Sequence, residues 1–304
     1  MILNSLFPVF SLIAMGALLR SIGLTNSIFL KTSDRLVYYI FFPVMLFWKI
    51  GGSSAGVTIP WGLCSAAVTA VVLLYLLSLL YIRLGHVDTF QAGAFSQSCY
   101  RFNTYVGVAV ILNALGEAGV TQFGILIGFA IPLINVLAVA TLIWFSGTQT
   151  HAAERFRFTI RALVSNPLIL ACVAGIAYSQ WIGGFPVFVD NSLRLISLVT
   201  LPLALISIGG AITFKDLRGR LAHALVAAGF KLFALPLCGY FLLKGFQVTG
   251  IAFHVGMIFF ALPTSTAIYV LSSQLNSDAE FASAVIVLST LLSFASLSVA
   301  VSLV

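Results

Sequence analysis

Residues Gly93 to Gly116 read GAFSQSCYRFNTYVGVAVILNALG. The stretch is as long as a membrane-crossing helix, yet Ser96, Gln97, Ser98, Arg101, Asn103 and Thr104 stand where hydrocarbon-compatible side chains belong. A charge near the centre of a bilayer costs from about 2.5 to more than about 10 kcal/mol, so it faces a partner or a water-filled cavity. Arg101 either meets a ligand, or it is structural and pairs with backbone carbonyls or snorkels to an interface.

The rest of the chain decides that the surroundings are membrane. Of 304 residues, 61% are hydrophobic and 8% charged, which excludes a water-soluble globular domain. Ten apolar runs are each long enough, or nearly so, to cross a hydrocarbon core about 30 Å thick. They are Leu3 to Leu19, Leu36 to Lys49, Trp61 to Ile82, Phe90 to Ala114, Val120 to Phe145, Pro167 to Trp181, Leu193 to Ile212, Leu221 to Leu243, Thr249 to Ser273 and Ala279 to Val304. Met1 to Leu19 lacks a basic start and a cleavage signature, so it reads as the first span and not as a removable signal.

The net charge of +7 belongs to topology and not to nucleic acid, because the basic residues cluster between apolar runs. One side collects Arg20, Lys31, Arg35, Arg83, Arg155, Arg157, Arg161, Lys215, Arg218 and Arg220; the other has little beyond Lys49, Lys244 and Arg194. By the positive-inside rule both termini lie outside. Cys64, Cys99, Cys172 and Cys238 all fall in apolar runs without metal-ligand spacing, and read as small buried side chains.

Landmarks recur at an offset of about 159 residues: Gly16 with Gly175, and LVYYIFFPVMLF around Pro43 with LISLVTLPLALI around Pro202. An odd number of spans per half means that the second half enters the membrane in the opposite direction. The expected organisation is thus residues 1–147 as a first five-helix repeat, 148–165 as a cytoplasmic linker and 166–304 as a second, inverted repeat. The same offset sets Thr104 against Pro263, within FFALPTSTAIYVLSSQ, the other span with a dense polar cluster.

A proline inside a helix removes one hydrogen bond and frees backbone groups that lipid cannot satisfy, so Pro263 is expected to break the ninth span. Thr264, Ser265 and Thr266 supply hydroxyls beside it, and Asn103, Thr104 and Gly107 allow a similar interruption in the fourth span. Crossed broken helices present two half-helix N-termini, which favours an anion, and Arg101 adds a planar fork suited to carboxylate. Asn135 reads as a buried polar residue that bonds another helix or the broken segment, an architectural role first and site lining second. Lys231 lies roughly 16 Å from either end of its span and no carboxylate lies deep in any span, so it either occupies a coupling-cation position or is a fixed structural charge. Motifs of intramembrane proteases and ATP-driven pumps are missing, so no enzyme is expected.

RFNTYVG, PLINVL, SNPLILACVAG, LPLALISIGGAI and ALPTSTAIYVLSSQLNSDAEFASAVIVLSTLLS resemble the auxin efflux carrier family over essentially the whole chain. The resemblance is to its short bacterial type, and implies an all-α integral membrane fold related to the bile acid sodium symporters. That fold has ten transmembrane helices in two inverted five-helix repeats, with interrupted fourth and ninth helices crossing at the midplane. It further implies an elevator-like secondary transporter of small organic anions, mono- or dicarboxylates, in the bacterial cytoplasmic membrane. The scaffold helices would form a possible homodimer contact, and H+ or Na+ would be the coupling ion if there is one; no other cofactor and no nucleic acid is expected. Arg101, Asn103, Thr104, Pro263, Thr264 and Ser265 fall at the crossover, with Asn135 and Lys231 in support. A channel, or a sensor or scaffold on a transporter fold, is the alternative. Where members carry G-x-P, this chain has Gly107, Val108 and Ala109, so the ninth helix is the firmer of the two expected breaks.

Overall fold

The computed structural model describes residues 2–52, 58–145, 165–212 and 220–303. All the regular structure in these residues is helical. Helix α1 (Ile2–Ser21) is followed by α2 (Ser27–Leu36), which runs through a π-helical turn (Val37–Phe41) straight into α3 (Phe42–Gly51). Asn26 starts α2 by accepting from the Phe29 amide at 2.8 Å, so this helix begins nine residues before the apolar run at Leu36. The π turn has a local cause. Pro43 lacks an amide hydrogen and its ring crowds the carbonyl four residues back, and the widened turn absorbs both defects.

Helix α4 (Trp61–Leu84) and the short α5 (Thr89–Tyr100) lead into the long α6 (Thr104–Phe145). Within α6, Gly116 has φ 67° and ψ −159°, a conformation that a side chain forbids; two helices therefore meet there, close to the gap expected between the fourth and fifth spans. Then come α7 (Pro167–Trp181), capped by Asn166, and α8 (Val187–Ala211), which begins at Pro186 and so ahead of the expected Leu193. Helices α9 (Leu221–Gly229) and α10 (Leu235–Gly245) are joined by a second π turn, Phe230–Ala234, again just before a proline, Pro236. The chain ends with α11 (Gly250–Ala261), α12 (Ala267–Gln274) and α13 (Ala279–Ser302). Positions 148–164 of the expected linker lie outside the described residues.

Among the described residues six helical stretches are long and apolar enough to cross a membrane: Ile2–Ser21, Trp61–Leu84, Thr104–Phe145, Val187–Ala211, Leu221–Gly245 and Ala279–Ser302. Phe7, Trp144, Trp181 and Phe188 remain well exposed, as expected for side chains that face lipid.

Helices α1, α2, α3, α7 and α8 pack together through close backbone approaches. A Cβ on Gly16 would stand 2.1 Å from the Ile206 carbonyl oxygen, and one on Gly209 only 1.8 Å from that of Ile13. On the α3–α7 contact, a Cβ on Gly175 would meet the Ile50 side chain at 3.0 Å and the Phe47 carbonyl at 3.3 Å. Small residues that let helix backbones touch replace the hydrophobic driving force that lipid does not supply. Polar bonds reinforce this group: Thr200 Oγ1 donates to the Phe41 carbonyl at 3.1 Å, Ser207 Oγ to Asp34 Oδ1 at 2.5 Å and Trp48 Nε1 to Asp190 Oδ1 at 2.7 Å. The remaining helices gather around α5, α6, α11 and α13, and the two groups meet along α6, which packs on α1, α3, α7 and α8, and between α1 and α13, where Phe10 and Phe294 pack edge to face, 5.2 Å apart.

Candidate functional site

Both expected interruptions are present, and they meet. Helix α5 stops at Tyr100, and Arg101 turns to extended backbone with φ −73° and ψ 136°. No proline is needed for this break. Asn103 Oδ1 accepts from the amides of Tyr105 (3.1 Å) and Val106 (3.2 Å), so its side chain starts α6 as a cap. Both expected spans are therefore interrupted, the fourth as well as the ninth, and the fourth without the G-x-P proline and with Asn103 as cap of the helix that follows, so the expectation that the ninth would be the firmer is corrected.

On the other side α11 ends at Ala261, Leu262 is extended, and α12 starts after Thr266. Phe102 and Thr264 form an antiparallel bridge in which the Asn103 amide donates to the Pro263 carbonyl at 2.9 Å. The Thr264 amide donates to Ser289 Oγ and its Oγ1 to the Ser98 carbonyl, each at 3.1 Å. Ser265 Oγ accepts from the Ala267 amide at 3.3 Å. The two breaks thus satisfy much of each other's freed backbone, the condition for irregular structure inside a membrane protein.

Arg101 is half-buried beside this bridge. Its Nη2 donates to Asn135 Oδ1 at 2.9 Å, while Tyr38, on the first π turn, and Tyr100 lie within its electrostatic reach. Arg101 Nη1 and Asn103 Nδ2 are buried and have no partner among the described residues. Both are donors only, so the group they complete must accept hydrogen bonds. Thr104 is half-buried at the start of α6.

The structure brings Arg101, Asn103, Pro263, Thr264 and Asn135 together but leaves Lys231 apart. Lys231 is fully buried on the second π turn, where its Nζ donates to the Phe260 carbonyl at 3.2 Å. Ser289, which braces Thr264, and Tyr38 had no place in the sequence reading; Ser98, whose carbonyl accepts from Thr264 Oγ1, and Gln97, whose Nε2 donates to Ser272 Oγ at 3.1 Å, stood there as polar residues out of place in an apolar run and not as site residues. The Tyr-Tyr pair shortly before Pro43 was the available signal for Tyr38. Outside the spans, Arg220 pairs with Asp278 and Glu280, and its hydrogen bond to Asp278, with the charge of both carboxylates, holds the guanidinium above its ordinary pKa.

Exposed apolar helices, paired interior breaks and a half-buried guanidinium define a multi-pass membrane protein with a polar centre. The chain belongs to the membrane transport protein family, that of the auxin efflux carriers, whose model matches residues 1–301. It is 24% identical over 301 residues to an uncharacterized transporter of Methanothermobacter thermautotrophicus, covering 97% of this chain and 95% of that one. It is 25% identical over 195 residues to a putative malonate transporter of Rhizobium meliloti, covering 64% of this chain and 61% of that one. The protein is a membrane transporter and not an enzyme.

Proposed function

We propose that this protein is a secondary carrier of small organic anions, and that the carboxylate of the substrate binds Arg101 Nη1 and Asn103 Nδ2 at the crossover. The observation that carries this reading is the pair of buried, unpartnered donors, one of them charged, on a broken helix. A carboxylate matches the planar guanidinium and is favoured by the positive end of the helix that Asn103 caps. The name of the Rhizobium relative supports a dicarboxylate such as malonate as the first substrate to try.

The same proposal includes ten spans in two inverted repeats. The offset of 159 residues supports it in space as well as in sequence. Gly16 backs onto Ile206 and Gly175 onto Phe47, and each member of one contact lies 159 positions from its counterpart in the other. Thr200 and Phe41, joined by a hydrogen bond, are also 159 apart. In an elevator-like cycle the close-packed group of α1–α3, α7 and α8 would stay fixed while the group carrying the crossover moves.

The test is malonate uptake into liposomes containing purified protein. Arg101→Ala should reduce uptake by at least about tenfold, since a charged hydrogen bond is worth about 1.5–3 kcal/mol, and Arg101→Lys should retain part of it. Unchanged uptake in both variants would remove Arg101 from the site. Saturable counterflow separates a carrier from a pore.

A further inference from the structure

If the two groups of helices slide past each other, every bond that joins them must open in the cycle. Among the described residues three ion pairs are formed. Arg220 with Asp278 and Arg220 with Glu280 both lie within the group that carries the crossover, between the starts of α9 and α13. The third, Lys49 with Glu117, joins the groups by tying α3 to α6. Helix α4, long enough to span, runs from the end of α3 to the start of α5, where the Phe90 carbonyl accepts from the Asp278 amide at 3.0 Å. The pair at Lys49 and the pairs at Arg220 therefore stand at opposite faces.

Each end of the Lys49–Glu117 pair sits where a charge can control movement. Lys49 is in the last turn of α3, its side chain 11% exposed and its ammonium 4.0 Å from the centre of the Trp48 ring. That ring is fixed in turn, because Trp48 Nε1 donates to Asp190 on α8. The ammonium thus belongs to the close-packed group, held over an aromatic face. Glu117 directly follows Gly116, the joint within α6, and the helix before that joint is the one that Asn103 caps at the crossover. One turn further, Thr121 Oγ1 lies 3.1 Å from the Glu117 carbonyl and 3.4 Å from that of Lys49. The Glu117 side chain is 75% exposed, so its carboxylate returns to water when the pair opens, while Lys49 keeps the Trp48 face. Exposed ion pairs are weak, as a contact made and broken in every cycle has to be.

We infer that Lys49 and Glu117 form a latch that closes the carrier at the face where α3 ends, and that the pair opens each time the crossover group slides. The inference rests on the elevator reading above and adds to it the contact that holds one end state. It explains why a charged pair spans the boundary beside the joint of α6, and why one partner is anchored and the other free to leave.

The experiment has two arms, both read as malonate uptake into liposomes. In the first, cysteines replace Lys49 and Glu117 in a chain without the four native cysteines, and a short cleavable bifunctional reagent joins them. The link should abolish uptake and its reduction should restore it; full uptake while linked overturns the latch. In the second arm Glu117→Gln should raise the maximum rate by up to about fivefold, the most that an exposed ion pair can hold back, and should leave KM within about twofold. Glu117→Asp, which keeps the charge, should stay close to wild type. Ionic strength of about 1 M, where the screening length is about 3 Å, should close the gap between wild type and Glu117→Gln. Equal maximum rates of these two at low salt, or a gap that salt does not narrow, overturn the inference. The sliding itself fails separately, if cysteines replacing Phe10 and Phe294 can be linked without loss of uptake. If wild type takes up no malonate, the substrate reading fails and the rate of linking the cysteines at Phe10 and Phe294 decides: it should fall in Glu117→Gln by up to about fivefold, and an equal rate overturns the latch.

Discussion

Arg101 is held by a neutral partner, and that choice has a functional meaning. The Asn135 carbonyl oxygen fixes one edge of the guanidinium through Nη2 and leaves the charge unspent, with Nη1 free. A carboxylate at the same place would neutralise it. Asn135→Asp should therefore raise the KM for malonate by about tenfold or more, the scale of one charge-assisted hydrogen bond. Asn135→Ala, which loosens the fork but keeps its charge, should raise KM less. Uptake kinetics measure both; an unchanged KM in Asn135→Asp would mean that the substrate does not use the charge of Arg101. At this scale the sequence was informative wherever a side chain was out of place in an apolar run. Arg101, Asn103, Asn135 and Lys231 stand out because hydrocarbon has no use for them. Tyr38 and Ser289 do not, since tyrosine and serine are also ordinary residues of membrane helices, and only the folded chain brings them to the bridge.

Among the elements, breaks and close approaches matter more than helix propensity. Pro263 announced the break of the ninth span because the missing amide is written in the residue itself. The fourth-span break depends on a cap, and Asn103 becomes a cap only because the chain before it is extended. The π turns were not legible either, although Pro43 and Pro236 cause them. Glycine positions give the test at this level. Gly209→Ala sets a methyl group 1.8 Å from the Ile13 carbonyl, a backbone atom that cannot rotate away, so α1 and α8 must separate. Overpacking of this kind costs about 1–3 kcal/mol, and the unfolding temperature should fall by several degrees. Gly229→Ala meets nothing within 4 Å and should be neutral or stabilising by up to about 1 kcal/mol. Equal stability of the two variants would contradict the α1–α8 contact.

For the molecule as a whole, the question is whether the two helix groups slide. Phe10 on α1 and Phe294 on α13 touch across their boundary. Cysteines at both positions, in a background lacking the four native cysteines, can be joined by a short cleavable bifunctional reagent. The cross-link should abolish malonate uptake and reduction should restore it; full uptake while cross-linked would exclude the elevator. Hydropathy outlined the apolar helices, six of which are long enough to cross a membrane among the described residues, because burial in lipid leaves its mark on composition. Which helices touch was not available, as it depends on glycine surfaces meeting across distant parts of the chain.

The bridge between Phe102 and Thr264 also bears on how the chain is made. The Asn103 amide finds its acceptor, the Pro263 carbonyl, 160 positions downstream. During synthesis the first break therefore emerges long before the segment that completes it. Until then its peptide groups have only water, or the insertion machinery, to bond with. The two breaks can pair, and the polar centre of the transporter can close, only after the segment around Pro263 has been made.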